Sequence, residues 1–65
     1  MLLRFIGDPK TTGLEKGETR RCVVETRDGF VWVRWQVEGV KIPPPLYAMY
    51  PYNSFQDMLE SWEEI

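Results

Sequence analysis

Between residues 22 and 42, apolar and β-branched side chains alternate with polar ones, and the alternation is broken twice by an acidic residue followed by glycine, at Asp28-Gly29 and Glu38-Gly39. Such pairs are the two-residue loops of β-hairpins, where glycine supplies the positive φ that the turn requires. The pattern therefore predicts three consecutive antiparallel strands. Two-residue loops also fix the register. Across the first, Arg27 faces Phe30, Thr26 faces Val31, Glu25 faces Trp32, Val24 faces Val33, Val23 faces Arg34 and Cys22 faces Trp35. Across the second, Val37 faces Val40, Gln36 faces Lys41 and Trp35 faces Ile42. Period-two alternation then places Cys22, Val24, Val31, Val33, Trp35, Val37, Val40 and Ile42 on one apolar face. Val23, Glu25, Arg27, Phe30, Trp32, Arg34, Gln36 and Lys41 fall on the other. Both hairpins select the same apolar face independently, and a slip of one residue in either would destroy the agreement.

The flanks complete a small β domain. Residues 2–6 form a short apolar strand stopped by Gly7-Asp8-Pro9, with Leu3 and Phe5 sharing one face and Leu2, Arg4 and Ile6 the other, each partly buried. Residues 8–17 read as a loop anchored by Leu14, its one large apolar side chain. Pro43-Pro44-Pro45 cannot donate to a sheet ladder and ends the meander. A last short edge strand follows over residues 46–50. Asn53 or Ser54 then caps a helix in a capping-box layout with Asp57, and Phe55, Met58, Leu59 and Trp62 follow the spacing of one buried helical stripe. The expected strands are 2–6, 19–27, 30–37, 40–42 and 46–50, with a helix over 54–63. They assemble as a mainly β domain: a strongly bent antiparallel sheet of four to five strands, rolled into a partly open barrel with the C-terminal helix across one opening.

Size and composition narrow the function. Sixty-five residues make one domain, near the lower limit for a fold held by a hydrophobic core alone and too small for a deep enzyme cleft. At 43% hydrophobic and 14% aromatic, the chain is too rich in large apolar groups to be disordered. Cys22 is the single cysteine and histidine is absent, so no internal disulfide forms, the usual zinc ligand sets are missing and a reducing, cytoplasmic setting is the default. No apolar run approaches the roughly 20 residues that span a bilayer, and Met1-Leu2-Leu3 is interrupted by Arg4, so the chain reads as complete and soluble, with no membrane partner. Net charge is -2 but segregated: residues 1–41 hold all eight basic side chains against six acidic ones, and residues 42–65 hold four acidic ones and no Lys or Arg. General nucleic-acid affinity needs a more concentrated basic surface.

Several stretches together carry a resemblance. Leu3-Arg4-Phe5-Ile6-Gly7, Gly13-Leu14-Glu15-Lys16-Gly17-Glu18, Asp28-Gly29-Phe30-Val31-Trp32-Val33 and Pro51-Tyr52-Asn53-Ser54-Phe55, with residues 59–62, resemble short proteins encoded by phages and prophages of Gram-positive bacteria. The resemblance implies an SH3-like β-barrel of phage or prophage origin. These relatives are mostly without an assigned function, and no catalytic residue is carried over. The segment from Ile42 to Tyr50 is longer than the short turn expected there.

The chain lacks a histidine, a Gly-rich phosphate loop and a metal-ligand cluster, so it is read as a non-enzymatic protein without cofactor or metal. Glu60, Glu63 and Glu64 read as solvated surface and Cys22 as a packed, inert thiol; Trp35 and Trp62 read as core. Phe30 and Trp32 lie opposite the apolar face. Either they are covered by the N-terminal strand or the helix, or they form an aromatic patch flanked by Arg27 and Arg34, a composition suited to a protein-interface hot spot and to stacking on single-stranded nucleic acid. Tyr47, Tyr50 and Tyr52, with the three prolines, either cover a crossover that Pro43 to Pro45 make rigid or form a second candidate surface, from which Tyr47 and Tyr50 are taken as site residues. The candidate partner-binding set is therefore Phe30, Trp32, Arg27, Arg34, Tyr47 and Tyr50. The expected function is a protein-binding module that modulates or inhibits a host or phage protein; the alternatives are a nucleic-acid-binding small barrel and a structural accessory protein that self-associates as a homodimer.

Overall fold

The computed structural model describes residues 1–39 and 44–65. Five strands form one antiparallel sheet in the order β4-β3-β2-β1-β5: β1 (Leu2–Phe5), β2 (Thr19–Arg27), β3 (Phe30–Gln36), β4 (Tyr47–Tyr52) and β5 (Trp62–Glu64). Two short helices interrupt them, α1 (Pro9–Thr12) and α2 (Phe55–Leu59). The sheet is not closed, and β4 and β5 are its two edges.

The first hairpin has the predicted register at every position from Cys22↔Trp35 to Arg27↔Phe30. Its loop works because Asp28 (φ 55°) and Gly29 (φ 80°) both take positive φ, the combination of a type I′ turn, whose twist matches that of the strands it joins. β2 is the long strand, and it serves two neighbours in turn. Thr19, Arg20 and Arg21 pair with Arg4, Leu3 and Leu2 of β1, and from Cys22 onward the pairing passes to β3.

The second predicted hairpin is corrected. β3 finds its other partner in β4, with Trp35↔Ala48 and Gln36↔Tyr47. The expected strand 40–42 lies outside the described residues. β4 itself runs one residue later at its start and two later at its end than the expected 46–50. Pro51 is tolerated inside β4 because it stands on an edge strand, where an N–H directed away from the ladder is not missed.

The C-terminal helix is the larger correction. α2 begins as predicted: Ser54 Oγ accepts from the Asp57 N–H at 3.1 Å, and Asp57 Oδ2 accepts from the Asn53 N–H at 3.1 Å. It then ends at Leu59 instead of continuing to residue 63, and Trp62–Glu64 becomes a strand paired with β1 through Phe5↔Trp62, Arg4↔Glu63 and Leu3↔Glu64. The expected helical stripe is split. Met58 and Trp62 are buried, whereas Phe55 and Leu59 are more than half exposed. Without β5 the backbone polar groups on one side of β1 would have no ladder, and pairing them outweighs one more turn of helix. The 8–17 segment likewise contains a helical turn, started by Asp8 accepting from the Lys10 N–H at 2.9 Å and stopped by Gly13 at φ 80°.

The core lies on the inner face of the bent sheet. Leu3, Phe5, Leu14, Cys22, Val31, Val33, Trp35, Tyr52, Met58 and Trp62 are buried together. Trp62 is at its centre: its ring lies 5.0 Å from Phe5 in an edge-on arrangement and 5.4 Å from Trp35, and its Nε1 donates to the Tyr52 hydroxyl at 2.9 Å. Leu14 folds back as the loop's anchor. On the outer side of β1, Leu2 and Ile6 stay exposed, so that strand is buried on one face only.

Candidate functional site: the outer face of the meander

The turn at Asp28-Gly29 and the register of β3 with β4 determine which side chains share the outer face. Position by position, Val23, Arg34 and Met49 lie side by side across β2, β3 and β4, and so do Glu25, Trp32 and Pro51. Arg27 stands beside Phe30 at one end, and Gln36 beside Tyr47 at the other. Four of the expected site residues, Phe30, Trp32, Arg27 and Arg34, are thereby brought together. Tyr47 joins them, and Tyr50 does not.

Tyr50 is set apart from Tyr47 by the strand period. Three residues apart on one strand, Tyr47 and Tyr50 point to opposite faces. Tyr50 turns inward, half-buried, with its ring 5.1 Å from that of Tyr52. Tyr47 is among the most exposed large side chains of the molecule, at 59%. Phe30 (42%), Val23 (48%) and Met49 (40%) are also open to solvent, while Trp32 between them is half-buried.

Two arginines organise the patch. The Arg27 guanidinium carbon lies 5.6 Å from the centroid of the Trp32 ring, whose Nε1 donates to the Arg27 carbonyl at 3.3 Å. That of Arg34 lies 5.5 Å from the Tyr47 centroid. Each contact is worth about 0.5–1 kcal/mol at an exposed site and presents a flat cation backed by a ring. Arg34 holds this pose although its Nε is buried without a hydrogen-bond partner among the described residues.

Charge on the face is lopsided. Arg21, Arg27 and Arg34 make no ion pair among the described residues, and Glu25 is the one acid set among them on the sheet. Elsewhere arginines are ion-paired: Arg4 pairs with Glu63 at 2.8 Å, and Arg20 with Glu18 at 3.1 Å and Glu38 at 3.6 Å. Glu18 is held below the usual carboxylate range, first by the Glu15 backbone N–H and then by Arg20.

Val23, Met49 and Pro51 extend the face beyond the residues singled out from sequence. Val23 was legible from the hairpin register; the β4 pair appears only once β4 is placed against β3. Cys22 lies on the opposite, inner side, and burial pushes its thiol up to about 11, so it stays protonated at neutral pH. A depression of about 610 Å³ at the other end of β2, bordered by Leu2, Arg21, Gln36 and Glu38, contains none of the expected site residues. Among the described residues no group of His, Cys, Asp and Glu is arranged to hold a metal, and no helix is long and apolar enough to cross a membrane.

Comparison of the chain with protein-family models, with curated proteins and with solved structures gave no match.

Proposed function

We propose that this domain is a non-enzymatic protein-binding module that engages its partner through the outer face of β2, β3 and β4. The observation that carries the reading is the exposed array of Phe30, Tyr47 and Met49 around a half-buried Trp32, interleaved with arginines that have no acidic partner among the described residues. Trp, Tyr and Arg dominate interface hot spots because they bury large area while keeping a polar handle. Here two of the arginines are already stacked on rings, so little side-chain freedom remains to be lost on binding. The excess on this face of cations unpaired among the described residues favours an acidic partner surface with an apolar centre.

The wider reading is an SH3-like, partly open barrel of phage or prophage origin, acting in the host cytoplasm by modulating or inhibiting a host or phage protein. The shared strand β2 and the short helix between β4 and β5 support the barrel, and the sequence resemblance supports the origin. A second reading, stacking on single-stranded nucleic acid, draws on the Arg27–Trp32 pair; it requires binding that weakens steeply with salt.

The test is affinity capture from nuclease-treated lysate of a Gram-positive host, with the parent protein beside a folded Phe30→Ala/Trp32→Ala variant. One protein retained by the parent and lost with the variant is the expected result. Equal retention by both would remove the outer face as the binding surface.

A further inference from the structure

The edge of β4 that no described strand pairs with has a definite hydrogen-bonding phase. The Val37 N–H donates to the Leu46 carbonyl at 2.8 Å, and bonded and non-bonded pairs alternate along an antiparallel ladder. Ala48, Tyr50 and Tyr52 therefore direct their backbone groups at β3, while Tyr47, Met49 and Pro51 direct theirs outward. Pro51, which has no N–H, falls in the outward phase, so the ladder to β3 is intact.

The sheet's two edges are guarded very differently. β5 is three residues long and carries Glu63 and Glu64, the short, charged form that discourages further pairing. β4 is six residues long and carries no charge, in a chain of which 28% is charged. Leu46, Tyr47 and Met49 along it are exposed. Among the described residues no strand pairs with this edge.

We propose that β4 pairs antiparallel with β4 of a second copy of this chain, about a two-fold axis at Met49. The segment is complementary to itself in that arrangement. Each Met49 N–H donates to the other Met49 carbonyl, and each Tyr47 N–H donates to the second copy's Pro51 carbonyl. The N–H that Pro51 lacks falls at the rim, opposite a Tyr47 carbonyl that water reaches. On the outer face each Tyr47 ring meets the second copy's Pro51 ring, a cross-strand contact of two flat apolar surfaces. A two-fold axis sets identical residues against each other, so any charge near it would face its own copy; β4 has none. The axis runs perpendicular to the sheet, which leaves the two arginine-aromatic faces on the same side of one continuous sheet.

Sedimentation equilibrium and amide hydrogen exchange on the full chain test this together. The expected mass is twice 7.7 kDa at high protein concentration, falling on dilution. The Tyr47 and Met49 amides should exchange slowly in the dimer and quickly after dilution, while those of Ala48, Tyr50 and Tyr52 stay protected throughout. Met49→Lys, which keeps the strand but sets two ammonium groups at the axis, should weaken dimerisation about ten-fold or more. Phe30→Ala/Trp32→Ala should leave it unchanged, so the outcome is separable from that of the proposed binding face. A parent that stays monomeric at millimolar concentration, a dimer whose Tyr47 and Met49 amides exchange freely, or a Met49→Lys variant that dimerises as tightly as the parent would each overturn the assignment.

Discussion

Replacing Tyr52 by Phe removes the acceptor of a buried hydrogen bond at the centre of the core. The ring of Tyr52 stays packed against Tyr50, but the Trp62 Nε1–H, now 2.9 Å from the Tyr52 hydroxyl, loses its acceptor in a place where Trp62 is fully buried. An orphaned buried donor costs about 1–3 kcal/mol, more than the bond itself contributes, because the indole N–H was hydrated in the unfolded chain. A 65-residue domain has a total stability on the order of 3–10 kcal/mol, so this is a large fraction of it. At about 4–8 °C per kcal/mol for a domain of this size, a loss near 2 kcal/mol lowers Tm by roughly 8–16 °C. Urea and thermal unfolding followed by tryptophan fluorescence and near-ultraviolet circular dichroism would measure it. Tyr50→Phe is the internal control, since the Tyr50 hydroxyl makes no hydrogen bond among the described residues and its loss should be nearly silent. If Tyr52→Phe stayed within about 0.5 kcal/mol of the parent, the indole N–H would have another acceptor, and the seating of Trp62 against the Tyr52 hydroxyl would be wrong.

Two further outcomes follow from the same core. At Gly7 an added methyl would lie 2.7 Å from Ser61 Oγ, 2.8 Å from Ser61 Cβ and 3.1 Å from Phe5 Cζ, so Gly7→Ala should lower the urea midpoint by the equivalent of about 1–3 kcal/mol; an unchanged midpoint would contradict the close approach of the chain at Gly7 to Ser61. Burial raises both Cys22, from its ordinary 9.0 to about 11, and Tyr52, so the folded protein keeps these protons when the unfolded chain has released them. The contribution of these two groups should therefore be constant below about pH 9 and stability should fall as pH rises toward 11, and a urea midpoint that held or rose between pH 9 and 11 would refute the burial of these groups.

The first hairpin was fully legible in the sequence because two independent signals agreed on it. Asp28-Gly29 named a turn type, and the alternation on either side of it chose a face; the register then placed Phe30, Trp32, Arg27 and Arg34 together without reference to the rest of the fold. β4 was less legible. Tyr47–Tyr52 is apolar on both sides, so its pattern selects no register, and its pairing with β3 rests on which segment reaches that edge in three dimensions. One clue was nonetheless present, since Tyr47 and Tyr50 stand at an odd spacing and cannot share a face of a strand. The C-terminal segment misled for a different reason. Phe55, Met58, Leu59 and Trp62 satisfy a helical period, and a three-residue strand is too short to show a period of its own. What decides the matter is remote in sequence: the unpaired side of β1, and the place for an indole between Phe5 and Trp35.

That remote pairing has a consequence for how the protein is made. β1 and β5 join residues from opposite ends of this sequence, Leu3 to Glu64 and Phe5 to Trp62, across a loop of nearly sixty residues. Closing so long a loop is entropically costly and comes late in folding, when local hairpins already exist. On the ribosome, the first hairpin can form as soon as Gln36 has emerged, but Leu3 and Phe5 must wait with their apolar side chains uncovered until Trp62 is free of the exit tunnel. Synthesis and completion of the core are therefore separated in time, and a nascent chain stalled anywhere before that tryptophan presents an unfinished apolar surface to the chaperones and proteases around it.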